Sequence, residues 1–372
     1  MNLPFADDLL YRYVSWRAAT PTPLFDATQL PSIRRVLLML TTGLGDAILS
    51  TPVFPAIRAA LPEAWIGLFC RTAWAPLFAS DPNLNEVIPY FGKYRHFFPT
   101  VASLRSHAPD LVVILHGNDP DIVPLAYLSG ARHVVRVPTR GTRYEFLLAN
   151  RGRAQDAQIA PDTHYVENRL RVLHTLGIPA TSNAPGIVLD ESRTAAATRR
   201  LAERLGGAPY WVLHSNAADP YKVWPGEKQK ELIGRARRLF PRHAVVLTGT
   251  ANEAQGLNAL VTNISGTHVV AGEHNVLETA AVLAGAACVL APDTGILHLA
   301  AALDRPTIGL YAPTYSNLIG PRSRSAVPIN IQKARTCDPC SEKQCPYTPK
   351  NCMDQISVDE VLGALTPRLE VA

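Results

Sequence analysis

Short apolar runs alternate with amphipathic stretches along this chain from residue 34 onward. In the first half, runs rich in leucine, β-branched and aromatic side chains predict strands at residues 36–40, 65–70, 86–89, 111–115 and 133–137. A second series predicts strands at residues 210–214, 243–247, 267–270, 288–291 and 307–310. The stretches between them have helical spacing, for example at residues 46–61 and 94–107. Such alternation predicts parallel sheets with helices on both faces.

The two series of strands predict two similar α/β domains that face one another across a cleft. Residues 190–205 between them are predicted to be a helix with Asp190 as its N-cap, and Gly206-Gly207 is a candidate hinge. We expect an N-terminal extension at residues 1–33, domains at 34–190 and 206–355, and a closing helix at 356–372. A length of 372 residues agrees with two domains.

Composition and charge narrow the class of protein. The chain is 47% hydrophobic and 18% charged, which is ordinary for a globular protein and excludes a disordered one. A net charge of +5 suits anionic small molecules or an anionic membrane surface and is too small to indicate nucleic acid. The N-terminus lacks a signal-peptide pattern and no apolar run reaches about 20 residues, so we expect a cytoplasmic protein.

The N-terminal extension has helical spacing with one apolar face, to which Leu9, Leu10, Val14 and Trp16 contribute. Two interpretations are open. The face either docks on the rest of the protein, as amphipathic helices commonly do, or it rests on lipid headgroups at a membrane surface.

A glycine turn follows the first predicted strand and leads through Gly45 and Asp46 into a helix. Glycine lets the backbone approach a ligand, and the helix N-terminus supplies free N–H groups. Ile48 stands where a dinucleotide fingerprint has its third glycine, and no P-loop lysine follows. A carboxylate at the carboxyl edge of a parallel sheet faces the ligand crevice, so Asp46 is a candidate general base. The alternative is a simple helix cap.

Two loops of the second half carry the remaining chemistry. Lys222 lies in a polar loop after a predicted strand, where an ammonium can neutralise a diphosphate; alone it could equally be an exposed lysine. Asp293, Thr294 and Gly295 lie between a strand and a helix, so backbone N–H groups there are free to bind phosphate oxygens. His298 follows about one turn later and is either a core histidine or a ligand contact.

These motifs together resemble glycosyltransferase family nine, the ADP-heptose heptosyltransferases of lipopolysaccharide synthesis. The resemblance is carried by Gly-Asp46, Lys222-x-Trp-Pro and Asp293-Thr-Gly-x-x-His298 and covers about residues 34–355. It implies a GT-B fold, in which two Rossmann-like domains face each other across a central cleft. It also implies inversion at the anomeric carbon and no cofactor or metal for catalysis.

The resemblance also implies roles for individual residues. Asp46 would be the general base, and Lys222 would contact the diphosphate. Glu253 would meet the adenosine portion of the donor. The full set of implied donor contacts is Gly45, Asn216, Lys222, Glu253, Asp293, Thr294, Gly295 and His298. One departure lies at Asn216-Ala-Ala, where heptosyltransferases of the first type usually carry hydroxyl residues, and it indicates a third-heptose or similar branch.

The function implied is transfer of heptose from ADP-heptose to an anionic, lipid-linked inner-core acceptor of lipopolysaccharide, with peripheral contact at the inner membrane. Four arginines in the first half are candidate acceptor contacts, unless they form only a solvated basic face: Arg132, Arg136, Arg140 and Arg143. The alternatives are a heptosyltransferase acting on an autotransporter-type protein, a transferase that uses another nucleotide sugar, and a non-catalytic nucleotide-sugar-binding protein. No oligomeric state is indicated.

Six cysteines are present, and four of them cluster as Cys337-x2-Cys340-x4-Cys345-x6-Cys352. Disulfides are uncommon in a cytoplasmic chain, and four thiolates suit structural zinc or iron. A related branch that acts on secreted adhesins resembles this segment and carries cysteine-bound iron. Free thiols are the alternative. Cys70 and Cys288 lie within apolar runs and are expected to be buried.

Overall fold

The structure is a computed structural model that describes residues 3–18, 21–137, 142–152, 162–337, 340, 345–346 and 352–370. The chain divides into two compact units, Met1–Asn183 and Ala184–Ala372. Gly206 and Gly207 therefore lie inside the second unit. With φ values of 60° and 75° they end a helix in the left-handed conformation that glycine adopts without strain.

The first unit contains a five-stranded parallel sheet in the order β3-β2-β1-β4-β5. Its strands are β1 (Arg35–Leu40), β2 (Trp65–Arg71), β3 (Glu86–Tyr90), β4 (Leu111–His116) and β5 (His133–Arg136). The central strand β1 is buried along its apolar length, as expected for a strand with helices on both faces. Burial of each such leucine contributes about 1.5–3 kcal/mol before the loss of chain entropy.

Seven helices belong to the described part of the first unit. They are α1 (Leu3–Arg17), α2 (Leu44–Leu49), α3 (Val53–Ala60), α4 (Ala75–Phe78), α5 (Phe97–Ser106), α6 (Ile122–Leu128) and α7 (Tyr165–Leu176). The prediction of one helix at residues 46–61 is wrong in its continuity, because two separate helices, α2 and α3, occupy this range. Pro52 lies between them at the N-cap of α3, because proline lacks the N–H needed to continue α2.

The second unit contains a six-stranded parallel sheet in the order β11-β10-β9-β6-β7-β8. Its strands are β6 (Tyr210–His214), β7 (Ala244–Thr248), β8 (Thr267–Val269), β9 (Val289–Pro292), β10 (Thr307–Tyr311) and β11 (Ile329–Gln332). The ten strands predicted from the sequence are all present, with ends shifted by a residue or so. The prediction missed β11, an edge strand whose alternating exposure buries only two of its side chains in part.

The helices of the second unit are α8 (Glu191–Leu205), α9 (Gly226–Leu239), α10 (Ala254–Leu260), α11 (Val276–Ala284), α12 (Gly295–Ala302), α13 (Ser316–Ile319) and α14 (Val358–Glu370). Asp190 is the N-cap of α8, as predicted, and its carboxylate accepts a hydrogen bond from the Ser192 N–H at 2.9 Å. The apolar face of α14 packs in the core of this unit beside α9 and β10. None of the helices within the described residues is long and apolar enough to cross a membrane.

Helix α1 of the N-terminal extension docks on the first unit. Leu10 and Val14 are buried in its core. The Tyr94 hydroxyl donates to the Asp7 carboxylate, and Arg143 pairs with Asp8 at 3.1 Å. Of the two interpretations of the extension, docking on the protein is therefore correct for this face of the helix.

Candidate functional site

In both sheets the order of strands reverses next to the first strand of the unit. In the first unit β2 and β3 lie on one side of β1, and β4 and β5 lie on the other. In the second unit β7 and β8 lie on one side of β6, and β9 to β11 lie on the other. Loops that leave adjacent strands in opposite directions open a crevice at the carboxyl edge, where parallel sheets bind ligands. The segments predicted to carry chemistry follow β1, β6 and β9.

Asp46 lies in the first turn of α2, directly after β1. Its Oδ1 accepts a hydrogen bond from the Arg169 guanidinium at 3.0 Å, and its Oδ2 accepts one from the Thr42 hydroxyl at 3.2 Å. The interpretation of Asp46 as a helix cap is wrong, because the N-cap is Gly43 and no side chain caps this helix. Gly45 is likewise a residue of α2, and Gly43 forms the turn before it.

Sequence reasoning missed Arg169, which is only 5% exposed and belongs to α7. The buried residues of α7 include Val166, Arg169, Leu170 and Leu173, so the arginine occupies a position of the apolar stripe. Arginine is almost never buried without a partner, and burial lowers the pKa of this guanidinium while Asp46 opposes the shift. An arginine in the stripe of an amphipathic helix is the signal that could have identified it.

A pocket of about 280 Å³ lies at the carboxyl edge of the first sheet. Its lining includes His116 at the end of β4, Arg136 at the end of β5, and Arg169. Burial, followed by the neighbouring Arg169, lowers the pKa of His116, so this histidine is neutral at neutral pH. Arg136 donates to the Gly117 carbonyl oxygen at 2.9 Å. The pocket therefore presents two guanidinium groups, and that of Arg169 pairs with Asp46.

The predicted acceptor arginines do not lie together. Arg136 lines the pocket, whereas Arg132 precedes β5 and so lies at the opposite edge of the sheet. Arg143 holds α1, since its guanidinium pairs with Asp8 and lies 4.1 Å from the centre of the Tyr11 ring. Arg140 lies outside the described residues. Of the three arginines that the structure describes, it thus brings Arg136 to the pocket, and it adds Arg169.

Lys222 and Asp293 form an ion pair in the second unit, although 71 positions separate them in the sequence. The Lys222 Nζ lies 2.9 Å from Asp293 Oδ2 and 3.9 Å from Asp219 Oδ2. Asp293 follows β9, and its carboxylate is buried. Burial by itself raises the pKa of Asp293, but the hydrogen bond with His298 and the Lys222 ammonium lower it to about 2. The carboxylate is therefore ionised and holds the lysine at the sheet edge.

The tryptophan of the Lys222-x-Trp-Pro motif fixes the loop that carries the lysine. Trp224 is buried, and its indole N–H donates to the Ile356 carbonyl oxygen at 3.1 Å. The Gln229 side chain donates to the Trp224 carbonyl oxygen at 2.7 Å. The segment before α14 thus holds the loop that carries Lys222, here called the lysine loop, through the Trp224–Ile356 hydrogen bond.

Helix α12 begins without a side-chain cap. Thr294 occupies the N-cap position but makes no capping hydrogen bond, and its buried hydroxyl has no partner among the described residues. The same is true of the buried Nδ1 of His298. The first-turn N–H groups of a helix point along its axis and favour anions, so this terminus beside Lys222 is suited to phosphate oxygens.

A second pocket, of about 290 Å³, lies at the carboxyl edge of the second sheet. Its lining includes Asn216 after β6 and Glu253 after β7, together with apolar groups of α10. The Glu253 carboxylate accepts from the Thr250 N–H at 2.6 Å in a capping box, which fixes its position. Two of the predicted donor contacts are thereby placed in one pocket.

The clustered cysteines lie in the second unit, and their segment is described only in part. Cys352 is buried and its three companions are half-buried. Burial raises the pKa of the Cys352 thiol, and the neighbouring Cys340 and Cys345 thiols raise it further. Within the described residues no three potential ligands are already arranged around a common point.

The first unit carries the Asp46 carboxylate beside the point where its strand order reverses. The second unit carries Lys222 and the uncapped N-terminus of α12. Two Rossmann-like units with these groups are typical of a GT-B glycosyltransferase. The sequence model of glycosyltransferase family 9 (heptosyltransferase) matches residues 123–351. The chain belongs to glycosyltransferase family 9. The predicted family and fold are thus confirmed, as is the prediction of an enzyme. Asp46 lies before the matched range.

Curated relatives extend the match over most of the chain. Lipopolysaccharide heptosyltransferase 1 of Pseudomonas aeruginosa is 29% identical over 335 residues, covering 85% of this chain and 88% of the relative. Lipopolysaccharide heptosyltransferase 1 of Escherichia coli K12 is 38% identical over 298 residues, covering 77% of this chain and 90% of the relative.

Solved structures share the fold. The family 9 glycosyl transferase from Veillonella parvula superposes with a TM-score of 0.74 at 21% identity, covering 91% of this chain and 98% of that one. The E. coli heptosyltransferase WaaC with ADP-2-deoxy-2-fluoro heptose gives 0.63 at 22% identity, covering 90% and 99%. The iron-containing dodecameric glycosyltransferase TibC from enterotoxigenic E. coli gives 0.52 at 14% identity, covering 94% and 78%.

Proposed function

We propose that this enzyme transfers heptose from ADP-heptose, with inversion, to an anionic inner-core acceptor of lipopolysaccharide. The observation that carries the proposal is the free N-terminus of α12 beside the Lys222–Asp293 pair. The relatives support the sugar and the acceptor, since both are lipopolysaccharide heptosyltransferases of the first type. Membership of the family favours an enzyme over a non-catalytic binding protein.

On the donor side, the leaving group is ADP. Negative charge grows on the β-phosphate oxygen that was bonded to the anomeric carbon as that bond breaks. Lys222 and the first-turn N–H groups of α12 would stabilise that charge, with the Thr294 hydroxyl as a further donor. We assign the pocket lined by Asn216 and Glu253 to the adenosine portion. Gly295 and His298 complete the donor contacts, and Asp293 acts through Lys222.

On the acceptor side, Asp46 would remove the proton from the attacking hydroxyl. Its two oxygens are held by Arg169 and Thr42, and each retains a lone pair for the hydroxyl. The hydroxyl oxygen then attacks the anomeric carbon on the face opposite the diphosphate, which inverts that centre. Arg136 and Arg169 would bind an anionic group of the acceptor, since guanidinium groups pair with phosphate and carboxylate in two-point contacts. This reaction requires no metal.

The donor is tested with purified protein, ADP-heptose and an acylated or deacylated inner-core acceptor, with ADP release and product mass followed together. We expect ADP release that depends on acceptor, and a product larger by one heptose. UDP- and GDP-sugars serve as controls for the nucleotide. Transfer from one of these sugars and none from ADP-heptose would overturn the donor assignment. Transfer to an autotransporter-type protein, and none to either lipid-derived acceptor, would favour the protein-modifying alternative.

We further propose that the cysteine cluster holds a structural zinc or iron ion. Cys337, Cys340, Cys345 and Cys352 supply four sulfur donors, the set that these two ions share. The spacing Cys337-x2-Cys340 supports this assignment, since it is the familiar spacing of one half of a four-cysteine site. A bound ion would cross-link the chain between β11 and α14 and would take no part in sugar transfer.

Metal analysis of protein purified without chelators tests this proposal. We expect about one zinc or iron per chain, and loss of the metal in the Cys340→Ser/Cys345→Ser variant. Cys70→Ser is the matched control, because Cys70 is buried in β2 and should leave the metal content unchanged. A metal content near zero in freshly purified wild-type protein would contradict the proposal.

A further inference from the structure

Helix α1 exposes a row of large apolar side chains on the face that points away from the protein. Phe5, Leu9, Tyr13 and Trp16 are 65%, 58%, 43% and 77% exposed. Their spacing of four, four and three residues puts them on one face, opposite the buried Leu10 and Val14. Exposed large apolar side chains are costly to leave in water, and a row of four on one helix marks an interaction surface.

Positive charge accompanies this row. Arg12 lies within the same face by helical spacing, and Arg17 ends the helix. In the described part of the chain the structure pairs neither arginine with an acidic side chain. The two acidic residues of α1 are already engaged, Asp7 with the Tyr94 hydroxyl and Asp8 with Arg143. The exposed face therefore carries uncompensated cations.

The segment at residues 91–98, which ends in the first turn of α5, extends the same kind of surface. It exposes Phe91 and Phe98, the latter by 82%, together with the cationic Arg95. Lys93 is also exposed, but its Nζ lies 3.8 Å from the buried Asp119 carboxylate. No aspartate or glutamate occurs from residue 91 to residue 109. Tyr94 joins this segment to α1 through Asp7, and its N–H donates to the Asp121 carboxylate at 2.8 Å. The segment is thus fixed beside the helix with its phenylalanines turned outward.

We propose that α1 and the segment at residues 91–98, here called the aromatic-cationic face, bind the surface of an anionic lipid bilayer. Aromatic side chains favour the boundary between headgroups and acyl chains, and arginine and lysine beside them are attracted to anionic lipids. The helix lies along the bilayer, because its opposite face is buried on the protein. The proposal concerns attachment alone and does not depend on which sugar is transferred.

A bilayer fits this face better than a second copy of the chain does. In a symmetric contact between two copies, Arg12, Arg17 and Arg95 of one would approach the same cations of the other, and like charges at an interface cost affinity. An anionic lipid surface neutralises them. The side chains are also mixed along the face, aromatic beside cationic, as in helices that lie in a membrane interface.

Sedimentation with vesicles tests the proposal on the full chain without donor or acceptor. We expect binding to vesicles of phosphatidylglycerol and phosphatidylcholine, weaker binding to phosphatidylcholine alone, and weakening by salt, which screens the attraction. The Arg12→Gln/Arg17→Gln variant should bind anionic vesicles about fivefold more weakly for each arginine removed. The Leu9→Ser/Trp16→Ser variant should lose about tenfold or more on both kinds of vesicle.

The matched control is Leu239→Ser/Val327→Ser, which removes two apolar side chains that are 58% and 72% exposed in the second unit. It should bind vesicles as the wild type does. All variants change exposed side chains, so their melting temperatures and their transfer to a water-soluble acceptor should be unchanged. Vesicle binding that is equal in wild type and in both α1 variants would overturn the proposal. A dimer in solution that the Leu9→Ser/Trp16→Ser variant dissociates, with no vesicle binding, would assign the face to a second copy instead.

Discussion

Replacing Asp46 by asparagine should lower kcat of sugar transfer by about 10²–10⁴-fold, the range that general bases contribute. Asparagine keeps the shape of the side chain and one acceptor oxygen for Arg169, but it cannot take a proton. The measurement is ADP release under saturating ADP-heptose and acceptor. Affinity for ADP-heptose, measured by calorimetry, should change little, since Asp46 belongs to the first unit and the proposed donor contacts other than Gly45 belong to the second.

Asparagine is a better test than alanine at this position. Both substitutions remove the negative charge beside the buried Arg169 guanidinium, but alanine also removes the oxygen that accepts its hydrogen bond. Loss of one partner of a buried ion pair destabilises proteins by about 3–5 kcal/mol, and asparagine retains part of the interaction. A drop in activity of Asp46→Ala would then mix chemistry with unfolding. Asp26→Asn is the matched control. It changes the exposed N-cap of the 3₁₀ helix at Ala27–Ser32 and should retain full turnover. Turnover of Asp46→Asn within about tenfold of wild type would remove Asp46 from the role of base.

Replacing Lys222 by methionine should lower kcat by about 10²–10³-fold, comparable to the loss of one donor that stabilises developing charge. Methionine keeps most of the side-chain volume and removes the ammonium that lies 2.9 Å from Asp293. Affinity for ADP should also fall, because the same charge meets the diphosphate in the ground state. Both effects are read from the kinetics of ADP release and from calorimetry with ADP.

Methionine at position 222 also leaves the Asp293 carboxylate buried without its cation. The Lys222→Met/Asp293→Asn variant removes both charges and restores neutrality, so it separates a folding defect from a catalytic one. It should recover the melting temperature and not the turnover. Lys230→Met is the matched control, since Lys230 is an exposed residue of α9. Turnover of Lys222→Met equal to that of Lys230→Met would rule out the diphosphate contact.

The alternation of apolar runs was sufficient to predict the strands, because both faces of a parallel sheet are covered and every strand becomes a continuous apolar run. Strand β11 escaped prediction since it is an edge strand with alternating exposure, which is a weaker signal. The break at Pro52 was readable in principle, because proline in a helical pattern ends or kinks the helix. The fold class itself followed from the order of the elements.

The candidate site was predictable only where motif residues follow strands. Asp46, Lys222 and Asp293 were found because each follows a strand in a loop with its own pattern. Arg169 was not, since its partner is 123 positions away and helical periodicity says nothing about which distant carboxylate it meets. For the same reason the sequence could not show which arginine near β5 lines the pocket. Arg136 and Arg132 differ in the edge of the sheet at which they lie, and the local sequence does not reveal that difference. The branch suggested by Asn216-Ala-Ala stays a prediction.

The hydrogen bond from Trp224 to Ile356 has a consequence for how the protein is made. It joins residues 132 positions apart, and it supports the loop that presents Lys222. During translation the ribosome releases the strands of the second sheet well before it releases this segment and α14. The lysine loop therefore acquires its support only when the final stretch of the chain has emerged. A chain that stalls or is clipped shortly before residue 356 would carry every donor-binding residue named above and still lack the anchor of this loop.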